Sequence, residues 1–417
     1  MSLRKNYLTE DWTVVVLGLL SIGIILFFYN IPAPVYNWGS SIEFFKSILA
    51  PKNIQHLLLQ FMYVFLISIL GFLFTGKSIK YLIFGFPVLY ALTIFATVLA
   101  GSAELRSLNL ESVIISLSIG LIISNIFKVP EWLKAVLSTE LYVKIGLILL
   151  GTGVIFGDIL KAGTLGLIQA LIVVVSVWYF AYWISSKLNI DKELKMMLAS
   201  AVSICGVSAA IATSGAIKGD SKKLSYIISL VLITAIPMMI GMPYIAKYIG
   251  LTQAQTGAWL GGTIDTTGAV VASGTLVGEE ALKISTIVKF SQNVLLGIAA
   301  FVISIYWSYT KKQEDVNEVQ LKPSLSIIWE RFPKFVLGFI AVSLLFSFVI
   351  NPQVIGEFKG TFKNLQTLWF TLAFTSIGLE TKLSDLFHAG NKKPLYAFLI
   401  AQLFNVLITL AVAYILF

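Results

Sequence analysis

Asp265 stands in the middle of an apolar stretch, Gly257-Ala-Trp-Leu-Gly-Gly-Thr-Ile-Asp-Thr-Thr-Gly-Ala-Val-Val-Ala-Ser-Gly274, among the hydroxyls of Thr263, Thr266 and Thr267. A carboxylate at the centre of a membrane segment costs about 3 kcal/mol to insert, so it is expected to face a partner or a wet cavity. Gly261, Gly262 and Gly268 would let the backbone unwind around it. The chemistry this fits is binding of a coupling proton or cation. Capping of the following half-helix is the competing structural role, since Asp is a favoured N-cap. Lys289, about two turns inside the next apolar segment, would balance the charge of Asp265 or draw an anion, unless it snorkels to the interface.

A second broken stretch runs Ser200-Ala-Val-Ser-Ile-Cys-Gly-Val-Ser-Ala-Ala-Ile-Ala-Thr-Ser-Gly215. A break at Cys205-Gly206-Val207-Ser208 would turn the free N–H groups and partial positive charge of a half-helix toward the midplane, where they suit an oxyanion. Ser203, Ser208 and Thr213 would add hydroxyls. A third interruption is expected at Thr375-Ser-Ile-Gly-Leu-Glu-Thr381, where Ser376 and Gly378 would complete the substrate site and Glu380 reads as an interfacial charge. All three stretches have a plainer reading, in which small residues merely let helices pack closely. Cys205 lacks a base and is not expected to be a nucleophile.

The elements that must hold these residues are membrane helices. A chain of 417 residues that is 57% hydrophobic and 12% charged does not describe a soluble surface. About thirteen apolar segments recur along it, most near the roughly 20 residues that cross the hydrocarbon as helix. Their centres give an all-α polytopic protein with segments at 12–29, 54–75, 80–100, 111–126, 141–158, 163–186, 196–217, 224–246, 254–276, 282–308, 328–350, 365–381 and 394–416. Residues 31–52 are expected in the interface, and 309–325 form the one markedly polar connection. A single cysteine and two histidines argue against a disulfide framework or a metal centre. Residues 1–11 carry no signal-peptide cleavage pattern, so the first apolar run reads as a retained span. The net charge of +9 resides in short loops and indicates topology, not nucleic-acid binding.

Lys and Arg are commoner in the connections on the side of the N-terminus, which the positive-inside rule places in the cytoplasm. Lys218, Lys222 and Lys223 dissent, and would rejoin the basic side if 196–217 were a re-entrant hairpin. The last ten segments are expected to form a five-plus-five inverted repeat with discontinuous helices, pairing 196–217 with 365–381. The division would be residues 1–110 as extra N-terminal spans, 111–250 as the first repeat and 251–417 as the second. A short echo, Asp158–Gly163 and Asp385–Gly390, offers a different pairing.

These segments resemble the sulfate exporter family of uncharacterised bacterial membrane proteins. The resemblance covers roughly residues 111–417. It rests on Gly146-Leu-Ile-Leu-Leu-Gly151, Ser203-Ile-Cys-Gly-Val-Ser208, Gly257-Ala-Trp259 with Thr263-Ile264, Val270-Val-Ala-Ser-Gly274, Lys289, Phe335-Val-Leu-Gly-Phe339 and Ile377-Gly-Leu379. It implies an inverted-repeat core similar to those of bile-acid sodium symporters and sodium/proton antiporters. The chain departs from the commoner pattern in having Asp265-Thr266 for His-Glu and Gln292 for a basic residue.

The expected function is therefore secondary transport of a small anion, sulfate or an organic sulfonate or carboxylate, across a bacterial inner membrane, coupled to protons or sodium. Ser203, Cys205, Gly206, Ser208, Thr263, Thr266, Thr267, Ser376 and Gly378 would bind the substrate; Asp265 and Lys289 would couple it to the ion. No cofactor and no catalytic residue is expected, and a homodimer is expected by fold analogy alone. A cation/proton antiporter using an Asp265–Lys289 pair is the alternative, and a channel or intramembrane enzyme is a distant third.

Overall fold

The computed structural model describes residues 8–27, 31–107, 112–311, 325–381 and 392–417. Most of the polar connection 309–325 and the Asp385–Gly390 echo lie outside them. The principal helices are α1 (Glu10–Phe27), α2 (Pro51–Phe74), α3 (Leu82–Ala100), α4 (Ser112–Ile126), α5 (Thr139–Leu150), α6 (Phe156–Lys187), α7 (Lys192–Ser203), α8 (Val207–Ile217), α9 (Ser221–Tyr248), α10 (Gln253–Thr263), α11 (Thr267–Val277), α12 (Glu279–Lys311), α13 (Lys334–Leu344), α14 (Pro352–Glu380) and α15 (Lys393–Leu416). No strand occurs among the described residues, and seven helices are long and apolar enough to cross a membrane. The expected all-α polytopic fold is what forms.

The chain divides into two compact units, Met1–Gly157 with Lys334–Lys382, and Asp158–Pro333 with Leu383–Phe417. These cut across the expected boundaries at 110 and 250. The first unit holds α1 to α5, α13 and α14. Here α4 packs on α14 through a pair of glycines: a Cβ at Gly378 would meet the Leu117 carbonyl at 2.5 Å and the Gly120 Cα at 2.8 Å.

That packing corrects the reading of residues 365–381 as a broken segment. They belong to the unbroken 29-residue α14, begun by Asn351 as N-cap and Pro352 in the first turn. Ser376 Oγ donates to its own helix at the Leu372 carbonyl (2.9 Å), Thr375 Oγ1 lies 3.0 Å from Thr93 Oγ1, and Ser124 Oγ donates to the Gly378 carbonyl (2.8 Å). The small residues serve a close helix seam, the plainer of the two readings.

In the second unit both remaining broken stretches turn back on themselves. In the first, the Asp220 N–H donates to Glu193 Oε2 (3.3 Å), and Lys223 Nζ reaches Asp191 Oδ1 (2.8 Å) and Glu193 Oε2 (3.1 Å). A continuous crossing from residue 193 to 223 would separate those groups by roughly 40 Å. Helices α7 and α8 are thus the two arms of a re-entrant hairpin, with Asp191 capping the first arm at Leu194 N and Asp220 capping α9.

The second stretch, expected as a broken crossing, is a hairpin as well. At its base Gly278, which follows α11, lies against the Gln253 side chain at the start of α10, so close that a Cβ there would meet Gln253 Oε1 at 2.6 Å. Gly257 and Gly261 of α10 abut Ala281 and Ser285 of α12, so α10 and α12 run parallel and α11 is the return arm. Because α9 joins the two bases, the hairpins enter from opposite ends of the unit. The stretch that 196–217 meets within its unit is thus 254–276, while 365–381 belongs to the other unit.

Candidate functional site

The hairpin tips meet. A Cβ at Gly206 would come within 3.0 Å of Asp265 Cβ and 2.6 Å of Val231 Cγ1. The first tip turns at Ile204 (φ −117°, ψ −86°) and Gly206, whose φ of +58° lies in the region that glycine adopts without strain. The second turns through extended Ile264 (φ −73°, ψ 128°) and Thr266 (φ −100°, ψ 140°), a backbone region that β-branched residues favour. From Met196 in α7 and Thr256 in α10, every residue down to the tips is buried. Non-helical backbone is tolerated at membrane depth only under such protein cover.

An inward arm ends in carbonyls that have no partner further along the helix. Side chains from α12 and α15 answer them, two carbonyls at a time. Lys289 Nζ donates to the carbonyls of Ile204 and Ile264, both at 2.9 Å, and to Gln292 Oε1 at 2.8 Å. Gln292 Nε2 bridges the Ser203 and Gly262 carbonyls at 2.9 and 3.2 Å, and Asn405 Nδ2 bridges those of Val202 and Thr263 at 3.1 and 3.2 Å. Gln402 Nε2 adds a bond to the Thr263 carbonyl at 3.1 Å. Each of these donors except Lys289 is neutral.

Asp265 and Lys289, the expected coupling residues, are 2% and 1% exposed. Among the described residues of this unit they are the buried charged side chains. They form no ion pair with one another: the three protons of an ammonium are all met by neutral oxygens, and Asp265 Oδ2 is buried with no hydrogen-bond partner. Nor does Asp265 cap α11; the N-cap is Thr266, whose side chain accepts from Ala269 N at 3.4 Å.

The other expected residues sort by accessibility. Ser208 is exposed and Thr266 and Thr267 are half-buried, at the first turns of the outward arms α8 and α11. Gly206, the N-cap of α8, offers that helix no side-chain cap, which leaves its first amides to other partners. Thr267 Oγ1 accepts from Asn293 Nδ2 at 3.3 Å, while Asn293 Oδ1 and Thr263 Oγ1 are buried without partners. Ser203 turns away and donates to the Ala199 carbonyl at 2.7 Å; Cys205 is buried and in no disulfide. Ser376 and Gly378 belong to the α4–α14 seam. No group of three metal-ligating side chains occurs among the described residues.

Sequence reasoning passed over Gln402, Asn405, Asn293 and Gln169, and met Gln292 only as a departure from a pattern. Gln169 Nε2 donates to the Ala258 carbonyl at 2.8 Å, so it too steadies α10. Their signal is amide side chains in segments otherwise apolar.

A family profile described as Conserved hypothetical protein 698 matches residues 84–397. The UPF0324 membrane protein RB9488 of Rhodopirellula baltica is 40% identical over 351 residues, covering 82% of this chain and 64% of its own length. A UPF0324 membrane protein of Nitratidesulfovibrio vulgaris is 36% identical over 359 residues, covering 83% and 61%. The chain thus spans under two thirds of the length of these two relatives. A further UPF0324 membrane protein of that organism is 30% identical over 299 residues, covering 71% of this chain and 81% of the relative. No solved structure matches. A profile that takes in both hairpins, with relatives named as membrane proteins, makes this chain a multi-pass member of the UPF0324 membrane protein family, the family of Conserved hypothetical protein 698.

Proposed function

We propose that the protein is a secondary transporter of a small anion, sulfate or an organic sulfonate or carboxylate, working by alternating access in a bacterial inner membrane. The observation that carries this reading is the meeting of two re-entrant hairpins tip to tip beside a buried carboxylate. The outward arms α8 and α11 begin there, so two helix N-termini with their partial positive charge start beside exposed Ser208 and half-buried Thr266 and Thr267. The buried ammonium of Lys289 adds positive charge behind them. Asp265 is the proton or cation carrier that couples movement of the anion to a gradient. The proposal leaves out Ser376 and Gly378, which are spent on helix packing, and includes Asn293 as the partner of Thr267.

The antiporter alternative loses its direct ion pair, because Lys289 is held by carbonyls and an amide and not by Asp265. The test is uptake of labelled sulfate, and of small sulfonates and carboxylates, into proteoliposomes under an imposed proton or sodium gradient. Anion uptake that collapses with the gradient is the expected result. Sodium or potassium movement that needs no anion would replace this reading with the antiporter, and gradient-independent currents in planar bilayers would replace it with a channel.

A further inference from the structure

Lys289 is held as a metal ion would be. Three oxygens from three different places in the chain, the Ile204 and Ile264 carbonyls and Gln292 Oε1, converge on Nζ at 2.8 to 2.9 Å. The two carbonyls belong to the residues that end α7 and α10, so they stand at the negative ends of both inward helix dipoles. Hard monovalent cations are bound in proteins by this kind of oxygen set, from backbone at the ends of interrupted helices. The neighbouring carbonyl pairs at the same tips are satisfied by neutral amides, so the position between Ile204 and Ile264 is the one that receives a charge. At 1% exposure no bulk water shares it.

We propose that Lys289 is a resident cation: its ammonium fills a monovalent-cation site formed by the two hairpin tips, and the protein therefore needs no sodium or potassium at that position. Three acceptors around one nitrogen require three protons and hence the charged form. A water molecule in its place would offer only two donors and no charge, leaving one buried carbonyl unanswered. Removing the side chain should accordingly open a site for a free cation. This inference does not depend on what the protein carries, since it is read from folding stability and not from transport.

The experiment is thermal unfolding of the purified full-length protein in detergent at constant ionic strength, with choline chloride replaced stepwise by sodium, potassium or methylammonium chloride. Asp265→Asn, which keeps Lys289 but lacks the carboxylate proposed to carry the coupling cation, is expected to melt at one temperature in all of them. Lys289→Ala in the Asp265→Asn background, prepared throughout in methylammonium, is expected to melt lower in choline and to recover several degrees, saturably, as a small cation is added, the mass-action signature of a ligand bound by the folded state. Lys289→Met, which keeps the bulk but fills the site with carbon, should melt low with no cation response. Saturable stabilisation of the Asp265→Asn protein by sodium or potassium would overturn the proposal. So would a Lys289→Ala protein that is indifferent to every cation, or that fails to fold in all of them, or a Lys289→Met protein as stable as wild type.

Discussion

At the scale of single residues, what singles out the tip junction is a carboxyl group enclosed by protein. Asp265 Oδ2 has no hydrogen-bond partner, and a buried acceptor left unanswered costs about 1 to 3 kcal/mol. Replacing it with an amide of the same shape removes a buried ionisable group and adds a donor. Asp265→Asn is therefore expected to melt at or above the wild-type temperature while gradient-driven uptake falls to background; a variant that transports normally would remove Asp265 from the coupling step. Gly206 makes the opposite case. Its positive φ and the 2.6 Å approach of Val231 leave no room for a methyl group, so Gly206→Ala should lose about 2 kcal/mol or more, visible as a lower melting temperature. Both residues were legible in the sequence because a carboxylate, or a glycine beside hydroxyls, has few reasons to lie in an apolar run. Ser376 and Gly378 misled for the same reason turned round: a serine that bonds to the carbonyl four residues back, and a glycine that admits a neighbouring backbone, look identical in sequence to a helix break.

At the scale of elements, the decisive event is the reversal of direction at Ile204–Gly206 and Ile264–Thr266. A broken crossing and a hairpin use the same local vocabulary of glycine, N-cap and β-branched residues. What separates them is a contact between distant positions, Glu193 with Lys223 in one case and Gln253 with Gly278 in the other. No window of sequence contains both partners, which is why the direction of the second hairpin was not readable. The first left one trace, the misplaced Lys218, Lys222 and Lys223. In a Cys205→Ala background, Glu193→Cys with Lys223→Cys should be joined by a short bifunctional thiol reagent, detected by mass spectrometry of the digested protein. Failure to link under conditions that label both cysteines would return 196–217 to a crossing segment, since roughly 40 Å would then lie between them.

For the molecule as a whole, turning two expected crossings into re-entrant hairpins redraws the topology while leaving the expected number of crossings odd. Residues 218–223 return to the side of Lys187, Lys192 and Lys195, while Lys247 moves to the opposite side, which sharpens the excess of basic residues on one face. Single cysteines at Lys195 and Lys222 in intact cells are expected to be protected together from a membrane-impermeant thiol reagent, and one at Lys247 to be labelled. Opposite behaviour of Lys195 and Lys222 would exclude the hairpin. The all-helical class and the position of two of the three expected broken stretches followed from hydropathy and small-residue runs. The division into units did not, because it depends on residues 334–382 folding with the first part of the chain and 383–417 with the second. The amide side chains that hold the tips, Gln292, Gln402 and Asn405, were hidden for a related reason: a polar residue in an apolar helix reveals that it has a partner but not which one.

The shared fastening of the two tips has a consequence for electrical tightness. Lys289, Gln292 and Asn405 each grip one carbonyl from either hairpin, so withdrawing one tip alone strands several donors at once in a region without water. At about 1 kcal/mol or more for each stranded group, a gap between the tips would be a rare excursion. The middle of this unit should therefore behave as an insulator, closed to the passage of ions between the tips.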